Sequence, residues 1–471
     1  MTDDIKCIIG LEIHTQMKTK SKIFCSCPVT ESEPNTNVCP ICLGYPGTKP
    51  MLNKKVLENG VKIAKALNCN IPQHVFFSRK SYFYPDMTKN FQITQYEIPI
   101  GLNGNLSIPW EGKSIKIRIK RAHIEEDPGR LEHVGGDITN SKYTLVDYNR
   151  AGIPLIEIVT EPDFTNPEQA GVFLKKLRAI LEHLDVYDSD MIMKADANIS
   201  IQGGARVEVK NITGFHNIMK ALEYEYNRQR IMAKQGNFVK LQETRAYSEG
   251  SKTTKQLRLK ESEADYGYIF EPDLSWQNMN TDRLSIIFKT MNELPDERIE
   301  RFRKEYNLTP EISTVLIYTD KALADFFETC AKKVKDKVLL ANWVTTHLLK
   351  CLNYNDVSIS KSKLSPENFS KFVIMLENGE LNERLGKELI KELVSTGKDV
   401  KKLMSEKNIS VISDADIESG IVEVLKKNEK AVVDYKAGKV ESFTFLLGEV
   451  LKKIKYQADV QKVKNLLEKK L

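Results

Sequence analysis

An α+β fold with a purely helical second part is predicted by three features of the sequence. Apolar and polar residues alternate at Ile9, Leu11 and Ile13 and again at Ile115, Ile117 and Ile119, which is the period of a half-buried strand. Elsewhere the spacing is helical, at Val56, Leu57, Val61, Ala64 and Leu67 and at Phe173, Leu174, Leu177, Ile180, Leu181 and Leu184. Beyond Asp273 no convincing strand pattern returns. The 471 residues exceed one ordinary core, so two or three domains are expected.

Taken in order, the first helix should start at Asn53, and the second at Asn166-Pro167, an N-cap followed by Pro at the first helical position. Pro and Gly punctuate Tyr82 to Asp86 and Gly152 to Asp163, which read as ordered loops or strand ends. The polar run Gln277 to Thr281 reads as a linker, and Leu294-Pro295-Asp296 opens the helical stretch. A break at Thr396 to Asp399, followed by Ile412 to Ile417, marks a last small helical unit ending at Leu471. The expected divisions are 1–290, 291–405 and 406–471.

Composition narrows the class. Hydrophobic residues make up 41% and charged residues 28%, as in a globular protein. Lys and Arg number 70 against 64 acids, a net charge of +6 that suits a polyanionic partner without demanding one. The acidic start Met1-Thr2-Asp3-Asp4 has no apolar targeting segment, and no run of about 18 apolar residues could span a membrane. Eight cysteines, four of them bunched from Cys25 to Cys42, do not form a secreted disulfide framework. A cytoplasmic enzyme or RNA-binding protein is expected.

Those four cysteines form two close pairs, Cys25-Ser26-Cys27 and Cys39-Pro40-Ile41-Cys42, with eleven residues between them. Tetrahedral Zn²⁺ takes four soft ligands, and two pairs on two turns supply them in a closed, structural site. The polar spacer from Val29 to Val38 suits an exposed loop. Four ordinary buried thiols are the alternative. Cys7, Cys69, Cys330 and Cys351 stand alone and read as core residues.

Strand parity places Glu12 and His14 on the face opposite Ile9, Leu11 and Ile13, and puts His123 beside Glu125 on another strand. Glu157, Glu161, Asp163 and Asp196 lie beside apolar runs. Around Gly203-Gly204 a hairpin is expected, and a three-residue loop from Gly203 to Ala205 would oppose Ser200 to Glu208 and Asn198 to Lys210. One face would then be wholly polar: Asp196, Asn198, Ser200, Arg206, Glu208 and Lys210. Asp, Asn and Glu suit Mg²⁺ as ligands and Arg206 or Lys210 suits phosphate, although a merely solvated face would look the same. The chain has no glycine-rich phosphate loop, no dinucleotide fingerprint and no nucleophile elbow. Any ATP must be held through carboxylate-bound Mg²⁺ and basic side chains.

Near the end, Lys452, Lys453, Lys455, Lys462, Lys464, Lys469 and Lys470 outnumber Asp459 and Glu468, with Leu446, Leu447, Val450 and Leu451 as an apolar side. This is either a phosphate-binding stripe or a solvated helix face.

Several ordered stretches carry a family resemblance. They are Gly10-Leu11-Glu12-Ile13-His14, Phe24-Cys25-Ser26-Cys27, Val38-Cys39-Pro40-Ile41-Cys42-Leu43-Gly44, and Arg79-Lys80-Ser81-Tyr82-Phe83-Tyr84-Pro85-Asp86. His123-Ile124-Glu125-Glu126-Asp127, Asp147-Tyr148-Asn149-Arg150-Ala151-Gly152, Asp196-Ala197-Asn198-Ile199-Ser200 and Glu208-Val209-Lys210-Asn211 follow. In this order they resemble the GatB family, the B subunit of aspartyl/glutamyl-tRNA amidotransferase. They cover the first 275 residues densely, and the later part more loosely through Ala431 to Lys439 and Phe445 to Gly448.

The resemblance implies a cradle domain on an antiparallel sheet with a zinc knuckle, then an all-α helical domain and a small helical tail domain that contacts tRNA. It implies a ligase activity that forms a C–N bond. ATP phosphorylates the side-chain carboxylate of Asp-tRNA(Asn) or Glu-tRNA(Gln), and ammonia then attacks. The ammonia would come through a channel from an amidase subunit, which hydrolyses glutamine, and a small third subunit would make the whole a heterotrimer. The family's Mg²⁺ centre maps onto Glu12, His14, Glu125 and Glu157, with Asp196 and Asn198 beside it as catalytic neighbours. Two segments depart from the family pattern. Gly267 stands in Asp265-Tyr266-Gly267-Tyr268 where the family carries Arg, and Lys455-Tyr456-Gln457-Ala458-Asp459 replaces a Lys-Gly-Lys-Ala-Asn element. The competing readings are a GatE-like subunit of an amidotransferase and a non-catalytic, zinc-braced tRNA-binding protein. The first should carry a large insertion not seen here, and the second has no reason to keep Glu12, His14, Glu125 and Asp196 together.

Overall fold

The computed structural model describes residues 5–135, 141–187, 191, 193–259, 267–407, 414–454 and 460–471. The chain forms two compact units, Met1–Leu294 and Pro295–Leu471. The first is built on eight strands: β1 (Cys7–Gln16), β2 (Gly101–Trp110), β3 (Lys113–Glu126), β4 (Pro154–Thr160), β5 (Met193–Ile201), β6 (Val207–Thr213), β7 (Glu243–Ser248) and β8 (Thr253–Leu259). They lie in the order β8-β7-β6-β5-β1-β4-β3-β2. Neighbours are antiparallel except β6 and β7, which run parallel, so the sheet is mixed rather than wholly antiparallel. That pair departs from expectation because helix α3 (Phe215–Lys234) carries the chain back before β7 begins, as a parallel neighbour requires.

Period-two patterning decides which face is covered. Ile9, Leu11 and Ile13 are fully buried in one cluster with Val61 of α1 (Lys54–Ala66), Leu177 of α2 (Pro167–His183) and Leu222 of α3. The side chain of Asn53 caps α1 by accepting from the Lys55 N–H. Asn166 caps α2 in the same way, with Pro167 at its first turn. The other face of the sheet keeps its polar residues.

Three local expectations are corrected. Residues 154–160 form the strand between β1 and β3 rather than a loop or strand end. Pro154 is tolerated as the first residue of that strand, and Ile156 and Ile158 fill the core. The β5–β6 hairpin opposes Asn198 to Glu208, two residues away from the expected register. Gly204 closes a turn onto the Ile201 carbonyl with Gly203 at φ +89°, but the Ala205 N–H donates to Val239 instead of continuing the ladder. A shift of two preserves parity, so the polar face survives. Finally, Gln277–Asn278 is no linker: it pairs with His74–Val75, and Asn280 then caps α4 (Thr281–Phe288).

The second unit is helical throughout its described residues. One apolar cluster runs from Phe302 to Met404 and a separate one from Ile417 to Leu467. Within the first, Gly397, left-handed at φ +69°, ends the helix Glu383–Thr396, and Asp399 caps the helix Val400–Glu406, whose Val400, Leu403 and Met404 still belong to that cluster. Ile412 lies outside the described residues. Among the described residues, no helix is long and apolar enough to cross a membrane.

Candidate active site and cysteine cluster

Register assembles the polar face from residues far apart in sequence. His123 on β3 opposes Glu157 on β4, which opposes His14 on β1. Glu12 opposes Asp196 on β5, and Asn198 opposes Glu208 on β6. Two groups of side chains result.

In the first group, His14 Nε2 lies 3.1 Å from Glu157 Oε2 and 3.9 Å from Glu125 Oε1. His123 Nε2 lies 3.3 Å from the same Glu157 oxygen and 3.7 Å from Glu125 Oε2. The Thr94 hydroxyl donates to Glu125 at 3.3 Å. One ligand atom each from His14, Glu125 and Glu157 falls within 4.8 Å of the others. Burial works against charge on both rings, but the Glu157 and Glu125 carboxylates overcome it, raising His14 to about 10 and His123 to about 9. Burial likewise opposes charge on Glu157, yet the two imidazoles hold it well below the usual carboxylate range.

The second group joins Glu12, Asp196 and Glu208, again with ligand atoms within 4.8 Å. The Asn198 amide donates to Glu12 Oε1 at 3.0 Å. Lys210 Nζ sits 3.2 Å from Asp196 and 3.0 Å from Glu208. Burial, and then the charges of Glu157, Asp196 and Glu208, raise the Glu12 carboxyl above its ordinary value. Three carboxylates beside an amide oxygen are a donor set that suits Mg²⁺, and the two carboxylates of the first group supply oxygen ligands of the same kind, with one imidazole nitrogen added. The residues present therefore fit a hard cation.

The geometry thus divides the predicted Mg²⁺ set: His14, Glu125 and Glu157 meet, whereas Glu12 belongs with Asp196 and Glu208. Arg206 does not join them; it is exposed and donates to Gln242. Parity alone places His123 on a polar face without a role, and Glu208 on the hairpin face whose acids suit Mg²⁺ without saying which group it joins. What brings them in is cross-strand register, which no local pattern encodes.

The cysteines converge as well: the sulfurs of Cys25, Cys27, Cys39 and Cys42 lie within 4.8 Å of one another. The Cys39 N–H donates to Cys42 Sγ at 3.2 Å, and the fully buried Lys22 places Nζ 3.7 Å from that sulfur. A hydrogen bond from Cys25 first, then the Cys39 N–H and Lys22, lower Cys42 to about 4 against the pull of burial. Burial raises Cys27 to about 11, and the Cys42 hydrogen bond with burial raises Cys25 further. Four sulfurs this close, around one stabilised thiolate, fit a metal. Of the remaining cysteines, Cys7 and Cys330 are core residues as expected, but Cys69 and Cys351 are only half-buried.

In the tail, the helix Val440–Lys453 buries Phe443, Leu446, Val450 and Leu451, and the helix Val460–Lys470 buries Val463 and Leu467. Lys453 pairs with Glu423 at 2.6 Å and Lys470 with Glu418 at 3.0 Å, while Lys452 is 4.0 Å from Glu449. Lys462 is exposed and Lys464 half-buried; Lys455 lies outside the described residues, as does the departure at Tyr456 to Asp459.

Residues 7–285 match the family described as the GatB/GatE catalytic domain, and residues 325–471 match the one described as the GatB domain. Similar proteins include one from Thermotoga maritima, 42% identical over 98% of each chain. Others are from Carboxydothermus hydrogenoformans, 40% identical over 99% of each, and Methanospirillum hungatei, 43% identical over 99% of this chain and 98% of its own. All three carry the name of the B subunit of an aspartyl/glutamyl-tRNA(Asn/Gln) amidotransferase. Matches that together span most of the sequence, and relatives collinear with it from end to end, make this chain a member of the GatB family.

Proposed function

We propose that this chain uses ATP to phosphorylate the side-chain carboxylate of Asp-tRNA(Asn), Glu-tRNA(Gln) or both, so that ammonia can convert it to the amide. The reading rests on family membership and on one observation, the two adjoining ligand groups on the polar face of the sheet. A carboxylate cannot expel oxide to ammonia, whereas an acyl phosphate expels phosphate. Bound Mg²⁺ supplies neutralisation of the charge at the γ-phosphate, which phosphoryl transfer needs most.

His14, Glu125 and Glu157 would hold one cation, and Glu12, Asp196 and Glu208 a second, with Asn198 fixing Glu12. Lys210 is the phosphate partner; Arg206 takes no part. Zn²⁺ in the four-cysteine cluster would be structural, tying the loop that carries Cys39 to the segment that carries Cys25. The sheet unit, about residues 1–290, performs the chemistry; residues 291–405 are the helical domain, and 406–471 the tail, where Lys452, Lys453, Lys455, Lys462 and Lys464 meet tRNA phosphates. Glutamine hydrolysis belongs to a separate amidase subunit. The cytoplasmic heterotrimer is completed by a small third subunit.

The test is an amidation assay of the assembled enzyme on both misacylated tRNAs, with ATP, Mg²⁺ and either glutamine or ammonium. Amide and ADP formed together on at least one tRNA support the reading. Binding of tRNA with neither product would favour the non-catalytic alternative.

A further inference from the structure

The two histidines of the first group are not equivalent. Both present Nε2 to the same atom, Glu157 Oε2, from neighbouring strands on either side of β4. The His14 side chain is 26% exposed, open to a ligand arriving from solvent, whereas that of His123 is 5% exposed. His123 Nδ1 is buried and finds no hydrogen-bond partner among the described residues. A neutral ring with its proton on Nδ1 would strand that N–H, whereas on Nε2 the proton meets two carboxylates. A charged ring carries a proton on Nε2 in any case. Neutral or charged, His123 therefore offers the carboxylates a proton and has no Nε2 lone pair for a cation.

We propose that His123 is a positioning residue, an N–H donor that orients the Glu157 and Glu125 carboxylates from the buried side and does not itself coordinate the divalent cation. This rests on the metal reading given above. A carboxylate anchored in this way keeps its remaining lone pairs aimed at the cation, and losing such an outer partner typically weakens metal affinity about 10- to 100-fold.

The experiment measures Mn²⁺ binding to the full chain in the assembled enzyme by electron paramagnetic resonance, for His14→Ala, His123→Leu and His123→Gln. Leucine fills the buried space without donating, and glutamine restores an amide N–H near the position of Nε2. The expected results are loss of the site in His14→Ala, about 10- to 100-fold weaker binding in His123→Leu, and recovery of most of that loss in His123→Gln. Cooperative metal-free melting of each His123 variant shows that it is folded. Should His123→Leu fail to fold, His123→Asn, whose shorter amide falls short of Glu157, replaces it. Wild-type Mn²⁺ affinity in His123→Leu alongside loss in His14→Ala overturns this inference alone, as does an equal loss in His123→Gln. Wild-type affinity in both His14→Ala and Glu157→Gln removes the metal reading, and this inference with it.

Discussion

Glu12 and His14 share one face of β1 yet belong to different groups: Glu12 opposes Asp196 on β5, and His14 bonds Glu157 on β4. Neighbours in sequence are thus divided between two candidate cation positions. Titration with Mn²⁺ should find two sites per chain. Glu12→Gln should weaken one and His14→Ala the other, each leaving its counterpart in place. A single site in the wild type, lost equally in both variants, would refute the division.

The cysteine cluster predicts a stoichiometric metal. Purified chain should carry about one Zn²⁺, the complement of a four-thiolate site. Cys39→Ser should lose it along with most soluble protein. Elemental analysis and thiol alkylation check this, since four freely alkylated thiols and no zinc would exclude the site.

Acid stability of the helical unit should depend on Arg298, which is 4% exposed. It bonds Asp325 at 2.6 Å and also Glu328, which in turn takes Arg301 at 2.7 Å. Burial opposes charge on both acids, yet their hydrogen bonds with Lys321, Arg298 and Arg301 hold them below the ordinary range. Depressed carboxylates contribute stability above their unfolded values, near pH 4, and lose it as pH falls through the folded ones. Arg298→Met should therefore cost roughly 1–3 kcal/mol at pH 7 and much less near pH 2, so the melting curves converge on acidification. A constant difference across that range would contradict this.

On the tail, Lys453 and Lys470 pair with Glu423 and Glu418, so tRNA phosphates must compete with those acids for them. Each lost contact should reduce the slope of log affinity against log salt by about 0.7 to 0.9. Ending the chain after Asp414 should raise KM for tRNA and spare ATP binding. Filter binding across a salt series reads both, and an unchanged affinity in the truncated protein would retire the tail as a docking element.

Much of the scaffold was legible locally. Asn53 and Asn166-Pro167 announced helices because capping and first-turn chemistry reside in adjacent residues, and the alternation around Ile9 and Ile117 announced strands because side-chain period is local. Pro154 misled, because it punctuates loops more often than it opens a central strand. The hairpin register misled because the Ala205 N–H bonds to Val239, more than thirty residues on. Parity put Glu208 and His123 on polar faces, but only pairing across β6, β5, β1, β4 and β3 decides which acid meets which base.

The most direct test is Glu125→Gln in the assembled enzyme at saturating ATP and Mg²⁺. The substitution keeps the side chain's shape and removes its charge beside His14 and His123. Amidation and tRNA-dependent ATP cleavage should fall together by roughly 10²-fold, about 2.7 kcal/mol of transition-state stabilisation, with tRNA binding and basal glutamine hydrolysis unchanged. Near wild-type amidation by both Glu125→Gln and Glu12→Gln would show that these acids are only a solvated face.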